Sequence, residues 1–356
     1  MGELFLADDL RESPPRRVVL KRLHPHLTAD ATVVKMFARE AEIVASLAHP
    51  NIVRFIGTER DGDTFVLVLE YVDGHDLRQL LDRSRAKDKK PSEAIAVCIG
   101  LDVLAGLDYA HRVRTSLADG KRSHGLVHRD VSPQNIVVSL SGTAKIIDFG
   151  VAKIRGRTQS TRIGALKGKF AYMSPEQIRG EPLDGRADLY ALGIVLYEIA
   201  TLRRPYAGLD GLRLMDAILA GKFTAPRTAR RDLSPAFATF LARAIATNVT
   251  DRFQTPPDMA AALLTALGKK ALDPIASTRL VETVLRPAVA AWVAKNAPAP
   301  VGPDTGDKSP DSQVSIPFGI NPFDALPVRA DIDGDEAQSD ATHLGDSLDP
   351  REPEEE

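Results

Sequence analysis

A single cysteine in 356 residues leaves no disulfide framework to form within the chain, a usage that fits a reducing compartment. That residue, Cys98, stands in the apolar run SEAIAVCIGLDVL, where a thiol is expected to serve as a small core side chain rather than a nucleophile. An excess of either charge is also missing. The net charge is −2, which excludes a general attraction to nucleic acid or to an anionic membrane surface. No apolar run reads as the roughly 20 residues of a membrane span, and the N-terminus lacks the basic-then-apolar order of a secretory signal. It begins Met-Gly, but Leu6 occupies the place that a myristoylation motif gives to Ser or Thr. Internal repeats are absent. These absences predict a cytoplasmic protein with neither a nucleic-acid nor a membrane partner.

Apolar residues make up 44% and charged residues 26%, as in a globular protein, and the length suits about two cores rather than one. The segments ELFLA, RRVVLKRL, IVRFIGTER and TFVLVLEYV are rich in β-branched and aromatic residues and read as strands, with Asp61-Gly62 as a hairpin turn between the last two. Between the second and third, Val33, Phe37, Ala41, Val44 and Leu47 recur near helical spacing, and His49-Pro50-Asn51 ends that helix. The first part, 1–72, is thus strands around one helix. From 76 to 270 the pattern is mostly helical, with helices predicted over 76–85, 92–112, 175–180, 186–202, 211–220, 235–247 and 256–267. TSLADGKRS, after the second of these, reads as a surface turn. Residues 271–296 form a helical extension, expected as two short helices because Pro287 stands mid-way among Leu280, Val284, Val289, Trp292 and Val293.

From 297 the composition turns to Pro, Asp, Ser and Gly, and residues 331–356 hold eleven acidic residues and one basic. Such a tail buries too little apolar surface to offset the entropy of ordering, so 297–356 is read as disordered and acidic. One apolar island, VSIPFGINPFDALPV at 314–328, is an expected docking segment.

The chemistry is concentrated in two short stretches, GLVHRDVSPQNIVV and KIIDFGVAK. Phosphoryl transfer from a nucleotide needs a cation on the phosphates, oxygen ligands for magnesium, and a carboxylate near the attacking hydroxyl. Lys21 in the strand VVLK supplies the cation, and Glu40 on the following helix can orient it through an ion pair. Asp130 and Asn135 share one loop, and Asp148 follows a second hairpin strand.

In this order Lys21, Glu40, HRDVSPQN, DFG at 148–150, SPE at 174–176, DLYALG at 188–193 and DRF at 251–253 resemble the eukaryotic-type (Hanks-type) serine/threonine protein kinases of bacteria. The resemblance covers residues 1–270. It implies a bilobal α+β fold, with a small antiparallel sheet lobe (1–72) and a larger helical lobe (76–270). It also implies ATP as cosubstrate, magnesium with manganese as a substitute, and protein Ser/Thr hydroxyls as acceptors. Asp130 then corresponds to the catalytic base, Asn135 and Asp148 to the metal ligands, and Lys21 to the α/β-phosphate ligand. Gly2, Leu4, Val19 and Val137 correspond to residues around the nucleotide. Glu70, Tyr71 and Val72 correspond to the hinge, with Leu69 as gatekeeper. Asp76 corresponds to the ribose carboxylate, with a helix N-cap alone as the lesser alternative. Glu176 and Arg252 correspond to a buried ion pair, Asp188 to the brace of the catalytic loop, and Val44, Phe55, His128 and Phe149 to a stack linking the lobes.

Three positions depart from the family pattern. Of the Gly-rich loop only the end is matched, by Gly2 with Glu3 and Leu4 after it, which is expected either from translation beginning upstream or from a truncated, weak kinase. Ser132 stands where the family carries Lys, and Lys169 where it carries Thr, so the two groups are expected to have exchanged ends, with Lys169 supplying the local cation. Arg129 precedes Asp130 and is expected to pair with an activation segment autophosphorylated at Thr158, Ser160 or Thr161. Those residues and Thr342 are expected docking points for a phosphothreonine-binding partner. The alternatives to an active kinase are a pseudokinase scaffold, favoured by the incomplete loop, and a small-molecule phosphotransferase, disfavoured by SPE and DLYALG.

Overall fold

The computed structural model describes residues 2–11, 13–24, 27, 31–61, 64–116, 122–149, 170–268 and 280–297, with side chains not described at a few positions within and beside these elements. In chain order the elements are β1 (Gly2–Asp9), β2 (Arg16–Leu23), α1 (Ala31–Ala45), β3 (Phe55–Asp61), β4 (Thr64–Glu70), β5 (Gly74–Asp76), α2 (Leu77–Ala86), α3 (Glu93–Arg112), β6 (Arg114–Ser116), β7 (Arg122–His124), β8 (Ile136–Ser139) and β9 (Ala144–Ile146), then α4 (Pro175–Arg179), α5 (Arg186–Thr201), α6 (Gly211–Leu219), α7 (Pro226–Ala229), α8 (Pro235–Ala244), α9 (Pro256–Ala266) and α10 (Arg286–Asn296).

The first four strands form one antiparallel sheet in the order β1-β2-β4-β3. Its register sets Leu4, Lys21 and Leu67 in one row and Leu6, Val19 and Leu69 in the next. Residues directly opposite share a face, so these six side chains line one side of the sheet. Val18, Leu20, Val66 and Val68 are buried on the other. Helix α1 lies over the first face, where Phe37 and Ala41 pack on Leu23 and Leu67. Strands β3 and β4 pair as the expected hairpin, with Asp61 opposite Thr64.

The larger lobe is built round α3 and α5. Every residue of α5 from Ala187 to Thr201 is buried, as for a helix surrounded by others. Contrary to the expectation drawn from apolar runs, α3 is long and apolar enough to cross a membrane by length and composition. Most of it is buried inside the lobe, with Ile95 to Leu107 contributing to the main core. Cys98 is part of that core, and burial pushes its thiol up to about 12, which leaves it inert.

The lobes meet at β9. Val53 N–H donates to Ile146 O at 2.9 Å, Ile146 N–H donates to Asn51 O at 2.8 Å, and the Asn51 side chain donates to Ala144 O at 3.0 Å. The strand that ends just before Asp148 is therefore tied to the chain leaving α1.

The long helices lie where periodicity predicts them, with α8 ending at Ala244 rather than 247. Two expectations need correction. TSLADGKRS is flanked by a two-stranded ladder, β6 with β7, rather than being turn alone. Among the described residues of the extension, the stretch just before Pro287 is not separate from α10: a π-turn over Val281–Leu285 runs straight into it. Pro287 sits in the first turn of α10, where its missing N–H is tolerated, and the wide turn before it accommodates the ring. Residues 297–356 were expected to be a disordered tail; beyond Ala297 they lie outside the described residues.

Candidate active site

The cleft face of the small sheet carries Lys21, whose Nζ donates to Asp148 Oδ1 at 2.7 Å across 127 residues of sequence. Lys21 is largely enclosed and Asp148 is exposed toward the cleft. Glu40 stands on α1 as expected, but its side chain lies outside the described residues. Asp148 has φ of 55°, a left-handed conformation unusual for a residue with a side chain.

Asp130 and Asn135 lie on the loop that enters β8. Asn135 Nδ2 donates to Asp130 O at 2.8 Å and to Asp130 Oδ2 at 3.2 Å. Its amide nitrogen is thereby committed to Asp130, which leaves its carbonyl oxygen for a cation. Asn135 O accepts from Ile147 N–H at 3.0 Å, so Asn135 and Asp148 are fixed at the two ends of the β8–β9 hairpin.

Asp188, His111 and His128 shape this loop. Asp188, at the start of α5, accepts the backbone N–H of His128 on Oδ2 and that of Arg129 on Oδ1, both at 2.8 Å. His111 Nε2 lies 2.8 Å from the same Oδ2. These bonds hold Arg129 at φ of 66°, a second non-glycine residue in the left-handed region, next to Asp130. His128 is fully buried, and burial lowers its pKa despite the neighbouring carboxylates. Its Nδ1 accepts from Asp130 N–H at 3.2 Å, so the proton sits on Nε2, which donates to Ile147 O at 3.1 Å. Its ring stacks at a tilt on Phe149, 4.7 Å between centres.

Val44, Leu67, Leu69 and Phe149 wall a small cavity of about 20 Å³ beside Lys21. Phe55 packs in the cluster under α1, which includes Leu67 of the same cavity wall. Glu70 ends β4, and its carboxylate accepts from Arg54 N–H at 3.0 Å and from Lys145 Nζ. Tyr71 and Val72 then lead half-buried into the larger lobe. Asp76 is an N-cap: its Oδ1 accepts Gln79 N–H at 2.9 Å, and burial raises its pKa. Val137 lies opposite Asp76. Gly2 opens β1 opposite Leu23, and Leu4 is 61% exposed on the cleft face. Ser132 is buried ahead of a short 3-10 turn. Lys169, Thr158, Ser160, Thr161 and Thr342 lie outside the described residues.

Behind the loop, Arg252 makes two 2.8 Å bonds to Glu176, one from each Nη. Burial raises the Glu176 carboxyl, but Arg252 outweighs it and the net shift is downward. The sequence did not point to the neighbouring cluster of Arg78, Arg85, Tyr172 and Glu198. Glu198 is fully buried and bonds all three partners, and Arg78 Nη2 also donates to Tyr172 OH at 2.7 Å. Those residues are spread over more than a hundred positions and form no local pattern.

A far roomier cavity, about 610 Å³, opens beside His111 and is walled by Asp108, Leu183, Asp184, Arg186 and Pro256. The candidate residues lie outside its walls: Lys21 bonds Asp148, Asn135 bonds Asp130, and Ile147 N–H ties the two pairs together through Asn135 O. The donor set suits magnesium. Among the described residues no group of three His, Cys, Asp or Glu side chains could hold a metal alone, but magnesium prefers a few hard oxygens and completes its shell with water and phosphate. Asp148 and Asn135 would hold it, and it would neutralise charge on the phosphates.

The chain matches the protein kinase domain family over residues 10–263. It is 37% identical to the tyrosine-protein kinase MasK of Myxococcus xanthus over 76% of its own length and 41% of that protein's. It is 34% identical to the serine/threonine-protein kinase PknB of Mycolicibacterium smegmatis, over 74% of its own length and 40% of that protein's. Among solved structures, the kinase domain of Mycobacterium tuberculosis PknI superposes with a TM-score of 0.54 at 28% identity, covering 75% of this chain and 91% of that one. The chain belongs to the protein kinase family. It spans about two fifths of the length of the curated relatives it matches.

Proposed function

We propose that the chain is a cytoplasmic bacterial signalling kinase that transfers the γ-phosphate of ATP, with magnesium, to Ser or Thr hydroxyls of proteins. The observation that supports this is the Lys21–Asp148 pair, which joins the lobes one residue beyond Ile147, whose N–H donates to the carbonyl of Asn135, itself bonded to Asp130. Lys21 orients the nucleotide phosphates, and Asp130 takes up the proton of the attacking hydroxyl. HRDVSPQN favours Ser/Thr over Tyr acceptors, although one relative is named a tyrosine kinase. Lys21→Met and Asp148→Asn are each expected to reduce phosphotransfer to a generic protein substrate by about a thousandfold or more, the scale of a lost electrostatic clamp. Phosphoamino-acid analysis of the product tests the acceptor. Wild-type turnover that survives Asp148→Asn, or phosphotyrosine as the sole product, defeats the corresponding half of the reading.

Within this reading Lys169 supplies the cation that Ser132 lacks. Lys169→Ala should lower turnover by roughly 10² to 10³, and Ser132→Lys combined with Lys169→Thr should recover part of it. Purely additive losses in that double variant rule out the exchange.

A further inference from the structure

The family match ends at residue 263, yet Leu280 to Asn296 pack on the larger lobe, with Leu285, Val289 and Val293 fully buried. Arg286 reaches from α10 into that lobe. Its Nη1 donates to Asp102 Oδ2 at 3.0 Å and its Nη2 to Asp102 Oδ1 at 3.3 Å. Nη1 also donates to Thr143 Oγ1 at 3.2 Å and Gly142 O at 3.4 Å. Asp102 is buried on α3, and its Oδ2 accepts Ala144 N–H at 2.7 Å. Gly142 has φ of 89°, and a Cβ there would meet Arg286 O at 2.5 Å. Backbone and side chain of Arg286 thus both seat the turn of the β8–β9 hairpin, whose two ends carry Asn135 and Asp148.

We propose that Arg286 is a positioning residue for the magnesium-binding pair, and that the catalytic unit therefore runs to Asn296. This rests on the metal reading of Asn135 and Asp148 given above. Without its guanidinium, Asp102 is a buried carboxylate with no cation. The acceptor that fixes Ala144 N–H then loses its charge or moves, and the strand leading to Asp148 loosens.

The test uses the full chain and three readouts: magnesium dependence of binding of adenylyl imidodiphosphate by calorimetry, amide hydrogen exchange over 142–148, and thermal melting. Arg286→Met should raise the magnesium half-saturation by about tenfold, as loss of an outer support to a metal ligand does, and speed exchange at Ala144 and Ile146. Arg286→Lys should recover part of both. Asp102→Leu with Arg286→Met removes the unpaired charge, so melting should recover while magnesium dependence does not. An Arg286→Met chain with wild-type half-saturation and exchange overturns the inference, as does a double variant that restores both along with melting. If the wild type binds the nucleotide no better with magnesium, the proposed function falls with it. If the wild type responds to magnesium and Arg286→Met matches it, only this inference falls.

Discussion

Arg252 shows what one buried cation does. It touches Glu176 with both Nη atoms and takes up the carbonyls of Ala246 and Thr247 through Nε and Nη2. Replacing it with Leu strands a buried carboxylate and should cost about 3–5 kcal/mol at neutral pH. Because the folded-state pKa of Glu176 lies below its usual value, the pair stabilises above the carboxylate range and its contribution is lost as pH falls through the folded value. In Arg252→Leu the carboxyl escapes by taking a proton. Urea unfolding should therefore show the gap between variant and wild type narrowing from pH 7 to pH 4; a constant gap contradicts the charge argument. Lys21, Asp130, Asn135 and Asp148 could be singled out in sequence because the proposed chemistry demands particular atoms in a particular order. Asp188 was legible for the same reason, but its partner His111 was not, nor was Arg286 on Asp102, 184 residues away. Such pairs leave no local trace, since any surface charge looks the same in a linear string.

At the level of elements, length decided what could be read. Helices such as α3 and α5 show several turns of pattern, whereas β5, β6 and β7 have three residues each, too few for alternation to register. The turn between β8 and β9 is the point where a small change should reach furthest. Gly142 and Gly180 both hold positive φ, but a Cβ on Gly180 meets nothing within 4 Å. Gly180→Ala should cost only the backbone strain, about 1–2 kcal/mol. Gly142→Ala adds a collision with the backbone of Arg286 and should lower the melting temperature further. Equal losses in the two variants would mean that the hairpin turn and the extension are not tightly seated.

For the molecule as a whole, the Lys21–Asp148 contact and the β9 bridge tie the lobes together, and the main core itself takes in Ile43, Leu47 and Ile52 beside Ile146. A ligand held by both lobes stabilises the folded chain by mass action, by about 2.7 kcal/mol at a hundred times its dissociation constant. ATP with magnesium should therefore raise the melting temperature of the wild type, and Asp148→Asn should abolish most of that rise. An undiminished shift in the variant removes Asp148 from the binding site. Strands before 72 and helices after 76 were read from the residues and the bilobal arrangement was implied by the family resemblance, but the docking of α10 on α2 and α3 followed from neither, because its apolar positions say only that it packs somewhere.

Trp292 is the single indole in the chain, and it is buried on α10 with Nε1 donating to Ser84 Oγ at 3.0 Å. Ultraviolet emission excited at the red edge of the aromatic band therefore comes from one spot, near the opposite end of α2 from Asp76. Release of the C-terminal helix should shift that emission to longer wavelength while circular dichroism still reports an intact lobe, giving the protein an intrinsic optical gauge of whether its extension is seated.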